Sequence, residues 1–138
     1  LALGLALAAA PAAAEAWQLF ATAAAAKVFF DRDSVRAEDV YVHYRVRIEY
    51  NEPRASNDGK VRFRTSVSDQ VGQCREPKVA AASVALYDAE GALVSDTGRS
   101  PEQWKQAMTS VSVDSLQARL LQHACRLAGR EEPPKSGW

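Results

Sequence analysis

From Val40 to Tyr50 the chain reads VYVHYRVRIEY, eleven residues that alternate without a break. Val40, Val42, Tyr44, Val46, Ile48 and Tyr50 fall on one side, and Tyr41, His43, Arg45, Arg47 and Glu49 on the other. Successive side chains of a strand point to opposite faces, so this period of two predicts a strand with one face buried and the other in solvent. Such a strand needs partners, and the flanking segments supply them. Trp17–Ala24 and Lys27–Phe30 are apolar runs of strand length, and Asp31, Arg32, Asp33 and Ser34 mark a turn after them. Asn51–Gly59 (NEPRASNDG) reads as a hairpin loop, after which KVRFRTSV resumes the alternation with Val61, Phe63, Thr65 and Val67 inward. Val79–Tyr87 and Ala92–Ser95 repeat the hairpin logic around Gly91, a position that calls for positive φ.

The helical period appears last. Over Asp114–Ala128, Leu116, Leu120, Leu121, Ala124 and Leu127 recur at helical spacing, while Gln117, Arg119, Gln122, His123 and Arg126 lie mostly outside the stripe. Ser112 or Asp114 can cap this helix and Gly129 stops it. Ser100-Pro101-Glu102-Gln103 fits a capping box with proline at the first helical position, so one short helical turn is expected there. Trp104, Ala107, Met108 and Val111 would pack inward from it, whereas Thr109–Val113 looks extended. Strands first and a helix last give an α+β class: an antiparallel meander of four to six strands packed against a C-terminal helix. At 138 residues, 47% hydrophobic and 25% charged, this is one packed domain with no room for two large ones.

Residues 1–16, LALGLALAAAPAAAEA, stand apart in composition. The apolar stretch is too short to span a bilayer, and Pro11 with small residues after it suits a signal-peptidase site, with cleavage after Ala14 or Ala16. The expected organisation is a signal peptide at 1–16 with a truncated start, a domain at 17–129 and a flexible tail at 130–138. No cysteine sits at the cleavage site, so a lipid-anchored form is not expected. Export makes the two cysteines, Cys74 and Cys125, a bridge that would pin the last turns of the helix to the sheet. The expected location is periplasmic, secreted or cell-surface.

The 17 Lys plus Arg balance 17 Asp plus Glu, which excludes nucleic-acid binding by bulk phosphate neutralisation. G-x-S-x-G, H-E-x-x-H, Walker and G-x-G-x-x-G motifs are absent, and the seven glycines are isolated, so neither catalytic residues nor a cofactor or metal site is expected. His43, between tyrosines on a polar strand face, reads as a surface histidine, and His123 as a solvated one. A hydrolase would require His43 to meet a serine and a carboxylate in a pocket. Asp31 and Asp33 are explained by turn hydrogen bonding. What rises above background is arginine, 12 against 5 lysines. If Tyr50 pairs with Val61, Glu49 faces Arg62 and Arg47 faces Arg64, and Tyr41, His43, Arg45, Arg47, Arg62 and Arg64 form a basic, aromatic-edged strip with one acid nearby. Arginine forks suit carboxylate, sulfate and phosphate, so the expected partner is a protein or an anionic glycan or lipid head group.

Several stretches resemble a family, the surface-adhesin protein E-like domains of Gram-negative bacteria. The resemblance is carried by Trp17, VFFDRDSVR at 28–36, the alternating strand from Val40, RTSVSDQVGQC at 64–74 and the hairpin around YDAEG. Trp104, the SVDS region and HAC at 123–125 complete it. The resemblance implies an antiparallel sheet flanked by helix, a disulfide between the two cysteines, export, and a non-enzymatic role in host-protein adhesion. Some members of that family are dimers, and the expected state here is a monomer or a homodimer. The other readings are a small periplasmic envelope-assembly or peptide-binding protein using an exposed sheet edge and, less in keeping with the sequence, a hydrolase.

Overall fold

The computed structural model describes residues 16–130; the expected leader before Ala16 and the tail beyond Arg130 lie outside the described residues. Six strands form an antiparallel meander in sequence order: β1 (Trp17–Thr22), β2 (Ala26–Glu38), β3 (Tyr41–Ala55), β4 (Arg62–Gln73), β5 (Lys78–Tyr87) and β6 (Leu93–Gly98). Then come α1 (Pro101–Ala107), a two-residue β7 (Thr109–Ser110) that pairs with the start of β5, and α2 (Leu116–Leu127). The sheet dominates, and each of its faces carries one helix.

One face is the core. Val28, Phe30, Val42, Tyr44 and Val46 pack against Leu120, Leu121, Ala124 and Cys125 of α2. Burying Leu120 and Leu121 contributes roughly 1.5–3 kcal/mol each. The expected cap moves by one residue, because the Ser115 hydroxyl accepts from the Ala118 amide, 3.1 Å. Gly129 at φ 67 ends the helix as expected. Cys74, just after β4, is bonded to Cys125, Cα–Cα 6.0 Å, so the helix is tied to the sheet it covers. Gly72 makes that closeness possible: a Cβ there would collide with Leu121 Cδ1.

The other face carries α1. The Ser100 hydroxyl accepts from the Gln103 amide and the Gln103 side chain accepts from the Ser100 amide, the expected capping box. Trp104 is buried from it onto Val71 and Ala80, with Tyr41, Ala82, Ala107 and Met108 around them. The face expected to meet solvent is therefore partly covered.

Three strand boundaries differ from expectation for local reasons. Asp31–Ser34 is a bulge within β2 and not a turn: Asp31 accepts from the Asp33 amide, and the Ser34 hydroxyl donates to the Asp31 carbonyl while accepting from the Arg45 amide. The side chains that favour turns kink the strand and leave it paired. Val40, expected inward, is 60% exposed at the tip of the β2–β3 hairpin. β3 runs on to Ala55, and the loop shrinks to the turn after Ser56, where the Asp58 carboxylate accepts from the Ser56 hydroxyl and the Lys60 amide. Those two hydrogen bonds hold the Asp58 carboxyl below its usual range. Gly59 takes φ 71.

Candidate functional site

The longer β3 changes the register on which the arginine strip depends. Arg45 faces Asp69, Arg47 faces Val67 and Glu49 faces Thr65, three residues further along β4 than a Tyr50–Val61 pairing requires. An odd slip turns a strand over. Thr65 and Val67 thus share a face with the charges of β3, and Ser66 and Ser68 stand opposite Ile48 and Val46. Arg64 does not meet Arg47. Arg62 and Arg64 instead belong to the hairpin arm, where Arg62 pairs with Ala55.

Arg45 and Arg47 are held by their surroundings. Arg45 Nε lies 3.1 Å from Asp69 Oδ1, and Asp69 Oδ2 accepts from the Ser83 hydroxyl at 2.6 Å. Arg47 pairs with Glu49 at 2.9 Å, and its guanidinium lies 4.6 Å from the Phe29 ring centre and 5.3 Å from that of Trp17. Their side chains are 35% and 27% exposed. The strip reads across strands as Trp17, Asp31, Arg45, Asp69 and Ser83, each opposite the next. Asp69 is the acid that the inferred register hid.

Tyr41 and His43 lie under α1, their ring centres 4.9 and 5.8 Å from that of Trp104 and close to edge-on. The His43 side chain is only 12% exposed, which corrects its reading as a surface residue. Burial, with Arg36 nearby, pushes its pKa below the ordinary value, against the pull of Glu38 and Asp69. Its Nε2 makes no hydrogen bond and sits 3.9 Å from Glu38 Oε1. A serine–histidine–carboxylate relay through that atom is not assembled. His123 is half-buried and not fully solvated: it packs 5.4 Å from Phe20 and 4.8 Å from Phe30, ring centre to ring centre. Burial, then Arg126 and Arg32, lowers its pKa.

Beside Trp104 a groove of about 640 Å³ opens between α1 and the sheet, lined by His43, Arg45, Asp69, Ser83 and Arg99 among others. Among the described residues no group of three or more His, Cys, Asp or Glu gathers to hold a metal, and no helix is long and apolar enough to cross a membrane. Sequence reasoning missed Trp17, Asp69 and Ser83 as members of the strip and Arg54 as a member of the arm. Trp17 had a signal, an aromatic at the start of a strand; the others depended on register.

The order of strands and the disulfide can be set against known proteins. The structure of Haemophilus influenzae protein E superposes with a TM-score of 0.54 over 84% of this chain and 98% of that one, at 13% identity, a likeness of fold. No curated protein matches the sequence. The family model of surface-adhesin protein E matches residues 17–126, from the first residue of β1 to the last turn of α2. With the whole meander and the bridged helix inside that match, the chain belongs to the surface-adhesin protein E family.

Proposed function

We propose that the chain is an exported, non-enzymatic binding module that captures an anionic partner, protein or glycan, through the arginines of the β3–β4 hairpin. One observation carries the reading: Arg45 and Arg47 are paired with Asp69 and Glu49, whereas among the described residues Arg62 and Arg64 donate to the carbonyls of Pro53 and Tyr50 and to no acid. A carbonyl orients a guanidinium without cancelling its charge, so the attraction for an anion stays with the second pair. Tyr41, His43, Arg45 and Arg47 then form the supporting part of the strip. Salt elution from immobilised heparin tests this. Arg62→Ala/Arg64→Ala should elute at lower salt than wild type, and Arg45→Ala/Arg47→Ala close to it; equal elution of the arm variant and wild type would end the reading.

A second reading is favoured by β1. Its sequence WQLFAT has no charge, it is the outer strand on its side of the sheet, and Leu19 is 56% exposed. Edge strands are usually blunted by charge or proline, and this one is not, which suits peptide capture by strand addition. Adding an extended apolar peptide should then slow amide exchange at residues 18–22; unchanged exchange would exclude it.

A further inference from the structure

The β3–β4 hairpin outruns its neighbours. β2 ends its pairing at Ala26 opposite Tyr50, and β5 at Tyr87 opposite Thr65, yet β3 and β4 still pair at Arg54–Phe63 and Ala55–Arg62. Asn51 is still bonded to the Ala24 and Ala25 carbonyls, so residues 52–64 are the arm that stands beyond the sheet, its two strands pairing at those two positions past a bulge in β3. It carries Arg54, Lys60, Arg62 and Arg64 against Glu52 and Asp58, and the Asp58 carboxylate is engaged in holding the turn. None of the four cations forms an ion pair among the described residues. Arg54 lies 4.7 Å from the Tyr50 ring centre, and Tyr50 meets Phe63 edge-on at 5.7 Å.

The placement of these charges discriminates between kinds of anion. Arg54 is opposite Phe63 and shares its face, while Arg62 and Arg64, alternating with Phe63, leave from the other face. A planar surface such as a bilayer can touch one face of a ribbon, not both. A peptide strand added to the edge is opposed on the β3 side by Pro53, which offers no N–H, and on the β4 side finds only three residues beyond the last pair with β5, too few to hold a strand. A flexible polyanion can follow both faces and the turn. The span from Lys60 to Arg64 is about 14 Å at the rise of an extended strand, the length of a short oligosaccharide. Hydroxyl-rich sugars can also bond the outward backbone groups that no strand covers.

Resting on the reading that the arm captures an anion, we propose that its ligand is a sulfated polysaccharide chain, gripped on both faces by Arg54, Arg62 and Arg64. The three guanidinium forks take sulfate oxygens, and chains shorter than the arm lose contacts.

Calorimetry of the full chain tests this with heparin-derived oligosaccharides of increasing length, with phosphatidylglycerol vesicles and with polyglutamate. Affinity should rise with oligosaccharide length up to the arm's span and exceed that for the other two probes. Arg54→Ala/Arg62→Ala/Arg64→Ala should lose at least about tenfold at constant salt, since exposed charge pairs contribute a few-fold each. Arg54→Ala alone should weaken binding as Arg62→Ala does, the mark of a ligand on both faces. These side chains are exposed, and an unchanged circular dichroism spectrum confirms that the variants fold. If the triple variant loses vesicle or polyglutamate binding but not oligosaccharide binding, the polysaccharide is wrong and the anion-capturing arm stands. If it binds every probe as wild type does, both fall.

Discussion

The two faces of the sheet each carry a helix and hold it by different means. On the α2 face, twelve helical residues lie over an apolar floor of Val28, Phe30, Val42 and Val46, and the Cys74–Cys125 bond ties helix to sheet. On the α1 face, seven residues are anchored by Trp104 on Val71 and Ala80, and beyond that small cluster the face turns to Arg45, Asp69, Ser83 and Arg47. Burying apolar area is the main favourable contribution to folding, and α2 concentrates it on one side. The opposite side is then free to carry charge without emptying the core. Among the described residues its central arginines, Arg45 and Arg47, are paired with Asp69 and Glu49, whereas Arg99 and Lys105 beside α1 and the four cations of the arm are in no ion pair.

The sharpest test of this difference is to cut the tie. Cys74→Ser/Cys125→Ser opens a loop of sequence separation 51, and the loop-closure estimate for that length is about 4 kcal/mol. Urea unfolding should show a loss of that order, with amide exchange in α2 rising first and α1 still protected. Equal loosening of both helices would mean that the faces are one cooperative unit.

A smaller effect distinguishes the faces through their histidines. His43 lies under α1 facing Trp104, Arg36, Glu38 and Asp69, and His123 lies between Phe20 and Phe30 with Arg126 and Arg32 near. Both are held below the ordinary value of 6.5. The unfolded chain then binds protons more readily than the fold, so stability is complete above 6.5 and declines as pH falls from there through the folded values. His43→Gln and His123→Gln should each flatten part of that decline. In wild type, acid should raise exchange in α1 before α2, because only α2 is covalently held; the reverse order would show that the tie does not protect its face.

Much of the α2 face was legible in the sequence. The stripe from Leu116 to Leu127 and the paired cysteines each depend on short-range pattern or on a count of two. The Ser100–Gln103 capping box was legible for the same reason. The alternation of β3 was equally clear, yet it reveals two faces without saying what covers the second, so Tyr41 and His43 looked solvent-facing until Trp104 was placed on them. Register was the larger loss. Pro53 and Glu52 read as loop, but a two-stranded arm exposes both its edges and tolerates them, so pairing runs on to Ala55. The slip of three residues brought Asp69 to Arg45 and sent Arg62 and Arg64 away from it.

That separation makes a last, small contrast measurable. Arg47 is packed over Phe29 and Trp17, its Nε is buried without a hydrogen bond, and it pairs with Glu49, so the side chain is part of the sheet's second face. A cation over aromatic rings at a half-exposed site contributes about 0.5–1 kcal/mol, and the lost packing of the stem adds to it. Arg47→Ala should therefore lower stability by roughly 1 kcal/mol. Arg64→Ala removes one hydrogen bond to the Tyr50 carbonyl from an exposed arm and should stay within about 0.5 kcal/mol of wild type. Urea midpoints at unchanged slope make the comparison, since a change of slope would signal an altered unfolded state. If Arg64→Ala costs as much as Arg47→Ala, the arm's arginines are structural like those of the strip, and their unpaired charge no longer marks a surface kept for a partner.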